Sequence, residues 1–198
     1  MKVSFYHGLI LGVCLLMAGC GGQTAKSRSQ NRQVADPFDP DRPPTARTLY
    51  VMADILASQG RDRDSQYFLE RLIKDYPDFL PAYNTLAESQ MRQRRVPDAV
   101  RTLSAGLEAN PGDPVLLNNL GMCRLIQKDY EKALSLFSEA AGIAPERTRY
   151  RSNMATALVL LDRRDEALAL YEQILPKEEA LGNIKRLCEN INSNSDFD

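Results

Sequence analysis

The sequence predicts an all-α fold, an array of about four stacked helical hairpins closed by a further C-terminal helix. A repeat is the first observation behind this. Pro77, Pro111 and Pro145 lie 34 residues apart, as do Ala99, Ala133 and Ala167, and Leu69, Leu103, Phe137 and Tyr171. The second is where the small residues fall. Ala53, Ala87, Gly121 and Ala155 keep the same interval, each one place after Met52, Leu86, Leu120 or Met154. A small side chain there lets one helix approach another closely, and a large one would wedge the pair apart at a cost of typically ~1–3 kcal/mol. Composition is the third, with 43% hydrophobic residues, 26% charged and no tryptophan, an ordinary globular profile. A unit of this length cannot bury its apolar face alone, so neighbouring units must stack.

Taken in chain order, residues 1–19 read as a secretory leader. Lys2 precedes an apolar stretch from Leu9 to Met17, which is too short to span a bilayer and is followed at once by polar sequence. Leu16-Met17-Ala18-Gly19-Cys20 resembles the lipobox of bacterial lipoproteins, with Met17 where that family usually has leucine. The resemblance implies that Cys20 becomes the lipidated N-terminus and that three acyl chains anchor the protein stably. Soluble export after ordinary leader cleavage is the alternative. Gly21 after the cysteine implies sorting to the periplasmic face of the outer membrane.

Residues 20–45 hold that cysteine and a flexible linker, whose Asp36-Pro37-Phe38-Asp39-Pro40-Asp41-Arg42-Pro43-Pro44 refuses regular structure. As a coil it would span about 25–30 Å. Four repeats follow at 46–79, 80–113, 114–147 and 148–181. The first keeps Gly60 and Pro77 but has Ser65 where the others have alanine, and the fourth has Glu179 where proline is expected. In the third, Asp113 can cap a helix whose first turn holds Pro114, and Pro145 stops the second helix. Residues 182–198 carry the cap and a tail. Ala180 to Asn190 is the expected helix, with Leu181, Ile184, Leu187 and Cys188 on one side, and Ile191 to Asp198 is expected to fray.

Leu117-Asn118-Asn119-Leu120-Gly121 through Pro145 resembles the tetratricopeptide repeat (TPR) family. That resemblance implies a right-handed superhelical array whose first helices line a concave groove for a protein partner. Side chains of first helices that do not face the second helix then point at the groove. They are Tyr50 and Asp54; Asn84, Glu88 and Arg92; Asn118, Asn119, Met122 and Ile126; and Asn153, Thr156 and Leu160. Asn119 and Asn153 are one period apart and suit a bound peptide backbone, with local helix bonding as the alternative. Met122, Ile126 and Leu160 suit the apolar stripe of a partner helix, with inter-repeat packing as the alternative.

Several function classes are disfavoured. The only histidine, His7, lies in the leader, so histidine-dependent triads and histidine-ligated zinc have no source in the mature chain. Cys123 and Cys188 fall two repeats apart, too far for a disulfide. No phosphate-binding glycine loop, EF-hand loop or dinucleotide fingerprint appears, so neither a cofactor nor a metal is expected. From Cys20 onward, 24 basic residues, one fewer than the 25 of the whole chain, face 26 acidic ones. The groups Arg92, Arg94, Arg95 and Arg147, Arg149, Arg151 have acids beside them and no interleaved aromatics, a pattern of solvated faces rather than a nucleic-acid footprint.

Within lipid-anchored repeat proteins, Arg147-Thr148-Arg149-Tyr150-Arg151-Ser152-Asn153-Met154-Ala155, Leu158, and Glu178-Glu179-Ala180-Leu181-Gly182-Asn183-Ile184 resemble the TadD family of tight-adherence (Flp/Tad) pilus lipoproteins. The departure is Leu161-Asp162-Arg163, where Leu-x-Gly-Arg is expected. The resemblance implies a non-catalytic pilotin or assembly factor whose partner is a secretin subunit or other pilus component. A general envelope scaffold for cell-wall enzymes or outer-membrane assembly is the alternative, and a cell-wall-acting enzyme is the remaining reading.

Overall fold

A computed structural model describes residues 43–195, with side-chain surroundings through Glu189. The leader, Cys20 and most of the linker lie outside the described residues. The described residues form nine helices and no strand. They are α1 Ala46–Ser58, α2 Asp62–Asp75, α3 Leu80–Arg92, α4 Val96–Ala109, α5 Pro114–Ile126, α6 Tyr130–Ile143, α7 Thr148–Leu160, α8 Arg164–Tyr171 and α9 Lys177–Ser195. The first helix of each hairpin starts at 46, 80, 114 and 148, and the second at 62, 96, 130 and 164, so both series run at the 34-residue period. Each helix packs on its chain neighbours, and α3 also touches α5 directly. The result is an all-α superhelical array.

Local chemistry sets these boundaries. Thr45 caps α1 by accepting from the Thr48 N–H, and Asp113 caps α5 by accepting from the Val115 and Leu116 N–H groups at 3.0 and 2.8 Å. Each first helix ends in the same left-handed turn, at Gly60, Arg94, Lys128 and Asp162, with φ between 59° and 73°. In each case the next residue donates its N–H back to a carbonyl five residues earlier, as Arg61 does to Leu56 and Arg163 to Leu158, both at 2.9 Å. Orphan carbonyls at the helix end are thereby satisfied. Only the first of these turns uses glycine, the residue that adopts this conformation without steric cost.

Packing between the helices explains the small-residue positions. Leu69, Leu103 and Phe137 are fully buried on the second helices. A Cβ added to Gly121 would stand 2.5 Å from Phe137 Cε1. The third repeat thus trades alanine for glycine where its second helix trades leucine for phenylalanine, leaving the filled volume nearly constant. Gly106 in the same way leaves room for Leu116 and Tyr83.

The fourth hairpin departs from the others. α8 has 8 residues where α2, α4 and α6 have 14. Pro176 accounts for this, because its ring clashes with the carbonyl four residues back and disfavours helical geometry at Leu175. The proline expected at 179 has in effect moved one turn earlier. Helix α9 therefore starts at Lys177, earlier than expected, and it runs on through Ser195, where a frayed tail was anticipated. Its Ala180 and Ile184 pack on Ala155, Leu158, Val159, Ala167 and Tyr171, closing the C-terminal end. No helix among the described residues is long and apolar enough to cross a membrane.

Candidate partner-binding groove

The face formed by α3, α5 and α7 carries most of the expected groove residues, but their surroundings differ sharply. Asn84, Glu88, Asn153, Thr156 and Leu160 are half-buried, whereas Arg92 and Ile126 are exposed. Tyr50 is half-buried and Asp54 exposed on α1. Asn118 and Asn119, by contrast, are 1% and 5% exposed. Both lie where α5 meets its neighbouring first helices, Asn119 against Asn84 of α3 and Asn118 against Asn153 of α7.

These amides bond to one another. Asn119 Nδ2 donates to Asn84 Oδ1, Asn118 Nδ2 to Asn119 Oδ1 at 3.1 Å, and Asn153 Nδ2 to Asn118 Oδ1 at 2.7 Å. Asn84 Nδ2 also donates to Glu88 Oε1 at 3.1 Å. The outcome is a continuous polar ladder through α3, α5 and α7, in which buried groups answer each other's hydrogen-bonding needs. Asn118 and Asn119 are therefore structural members of the face, not free donors to a ligand, and this corrects the expectation for both. Each inter-repeat link joins residues 35 apart, as does the Tyr50 to Thr85 hydroxyl contact of 3.0 Å. The sequence carries that signal, but only for a search at one residue beyond the repeat length.

Met122 is half-buried and packs against the buried cluster of Ala133, Phe137 and Ala157, which is the inter-repeat packing given as the alternative. Thr156 donates to the Ser152 carbonyl at 3.0 Å and meets the Tyr171 hydroxyl at 3.2 Å. Cys123 is fully buried and free of any disulfide, and burial pushes its thiol up to about 11. Cys188 is also free.

The open part of the face is a groove of about 600 Å³ lined by Asn84 and Glu88 of α3, Val115 of α5 and residues 146–150 at the start of α7. Arg147 and Arg149 are exposed there. They stand at the positive end of the α7 dipole, where anions are favoured and cations are not. No side chain caps this helix and no acid lies in its first turn. Among the described residues no ion pair holds Arg147, Arg149 or Arg151, and Arg151 Nε is buried without a hydrogen-bond partner. Arg151 occupies the place that Leu49, Tyr83 and Leu117 fill with apolar side chains in the other repeats. The pattern of these arginines in sequence is that of solvated faces; the fold crowds them onto one uncapped helix start. No group of His, Cys, Asp or Glu among the described residues could hold a metal ion.

Models of the tetratricopeptide repeat match residues 47–78, 84–148 and 124–191. Among solved structures, the chain is similar to MamA (19% identity, TM-score 0.60, covering 70% of this chain and 81% of that one). It is likewise similar to "MamA AMB-1" (20%, TM-score 0.57, 70% and 80%) and to MamA residues 41 to the end from Desulfovibrio magneticus RS-1 (19%, TM-score 0.55, 74% and 77%). At this identity the likeness concerns the fold alone. No curated protein matches the chain.

Proposed function

We propose, on the premise that this chain is an array of tetratricopeptide repeats, that it is a non-catalytic adaptor holding a protein partner at the groove between α3, α5 and the start of α7. Arrays of this kind generally bind proteins. The observation that carries the reading is the set of unpaired arginines at that groove. Arg147 and Arg149 can donate to carboxylates or backbone carbonyls of a partner segment, and a guanidinium does so in a planar, paired geometry. The amide ladder behind them holds α3, α5 and α7 in fixed register, which limits the ordering cost of binding.

The site of action is proposed from Leu16-Met17-Ala18-Gly19-Cys20, with lipidated Cys20 anchoring the chain to the periplasmic face of the outer membrane. The narrower role, a pilotin or assembly factor delivering a secretin subunit of the Flp/Tad pilus machine, is supported by residues 147–155 and 178–184. Its test uses the full chain with a purified secretin subunit. Capture is expected, and Arg147→Glu with Arg149→Glu should weaken it by about tenfold or more, a loss of ~1.4 kcal/mol. Capture that ignores both substitutions removes the groove from the proposal, and failure of the wild-type chain to capture the subunit removes the pilus role. Separately, Cys20→Ala should move the protein out of membrane fractions.

A further inference from the structure

We infer that the N-terminal end of the array is a self-docking face, on which a second copy of this chain sits about a two-fold axis. Four of the seven large exposed hydrophobic residues among the described ones gather there. Val51, Met52 and Ile55 on α1 and Tyr67 on α2 are 46%, 40%, 49% and 61% exposed. Their repeat equivalents show what is missing. The Met52 position is filled by Leu86 and Leu120, at 3% and 8%, and the Ile55 position by Ser89, Cys123 and Ala157, at 5% or less. In those repeats the preceding hairpin covers the site. Here the same residues border an open hollow of about 490 Å³. An exposed apolar end of a repeat array is a solubility hazard unless it is polar or covered.

The occupant follows from what each candidate can offer. Residues 21–42 contain only Val34 and Phe38 as large apolar side chains, too few to fill a hollow bordered by Met52, Ile55, Leu56, Tyr67 and Phe68. Stacking head to tail would need an uncovered last hairpin, but α9 covers that hairpin with Ala180 and Ile184. A contact that pairs the N-terminal face with itself is the arrangement left, and it closes at two copies. The rim suits it. Arg61 and Asp64 lie on this face 2.6 Å apart, both largely exposed, so rotation about a two-fold brings one copy's Arg61 toward Asp64 of the second copy. A rim carrying both signs complements itself. This surface is separate from the groove, and the inference rests on the proposed function only in taking the apolar leader before Cys20 as removed.

Sedimentation equilibrium of the full chain in density-matched micelles tests it. A dimer is expected for the wild type. Met52→Glu with Ile55→Glu should give a monomer with unchanged helical circular dichroism. Arg61→Asp and Asp64→Arg should each weaken self-association when alone, and mixing the two variants should restore pairing, because each then meets its opposite charge. A wild-type monomer at every concentration overturns the proposal, as does a dimer indifferent to Met52→Glu and Ile55→Glu. A mixture of the charge variants that fails to pair overturns the two-fold geometry. A monomer in which Ile55→Cys is shielded from thiol reagents overturns it too, by showing that the chain covers its own end.

Discussion

At the C-terminal end of the array, α9 lays Ala180 and Ile184 over the last hairpin, whereas at the N-terminal end Met52 and Ile55 of α1 stand open. The two ends derive from the same repeat, yet one is finished by an added helix and the other is left as an internal surface would look without its neighbour. The difference shows that burial in an array belongs to the junction between repeats and not to a repeat position as such. Ile55 has the apolar character of a core residue with no core around it.

The largest effects should separate the ends. Ile184→Ala removes packing from a closed junction and should destabilise the fold by about 2–3 kcal/mol, whereas Ile55→Ala in a dilute monomer should change stability by no more than about 0.5 kcal/mol. Urea unfolding of both variants measures this, and equal losses would break the comparison. The first-helix turns give the next test. Gly60→Ala forces a Cβ into a left-handed turn and should cost about 1 kcal/mol. Asp162→Gly, at the equivalent turn of the last hairpin, should instead stabilise by about 0.5 kcal/mol, since it relieves that strain at the expense of a more flexible unfolded chain. Thermal melts with opposite signs for the two are the expected result.

The smallest effect concerns the ion pairs at the starts of the second helices, Arg61–Asp64 in the first hairpin and Arg163–Glu166 in the last. The hydrogen bonds from Arg163 hold the Glu166 carboxyl below its ordinary value. A depressed folded value means that the stabilisation is present above the unfolded carboxylate range and is lost as the pH falls through the folded value. Arg163→Ala should return Glu166 to the usual range in a carboxyl-carbon NMR titration. An unmoved titration would show that the pair seen at this end is not formed in solution.

Much of this architecture was legible from period alone. The 34-residue spacing locates helices whose small residues, prolines and caps all agree, so local preference and stacking point the same way. It failed where a single residue changed the local rule. Pro176 shortens α8 and brings α9 forward, although the period places the stop at Glu179. The groove was harder to read. Helical spacing shows which side of α5 holds Asn118, Asn119 and Met122, but not that the two amides are buried in a ladder and that the methionine leans on α6 and α7. Charge at the start of α7 was visible, while the absence of an ion-pair partner for it among the described residues depends on three-dimensional neighbours.

The ladder from Asn84 to Asn153 has a consequence for how such an array can grow. Every link requires an amide in one repeat and another 35 residues further on. Repeat 46–79 offers Val51 where an incoming amide would be needed, and repeat 148–181 offers Ser152 where the next would begin. Repeat 114–147 has asparagine at both places. It is the one unit that can be duplicated in tandem while keeping every amide of the seam answered, so gene duplication confined to that segment would lengthen the array without breaking its polar register.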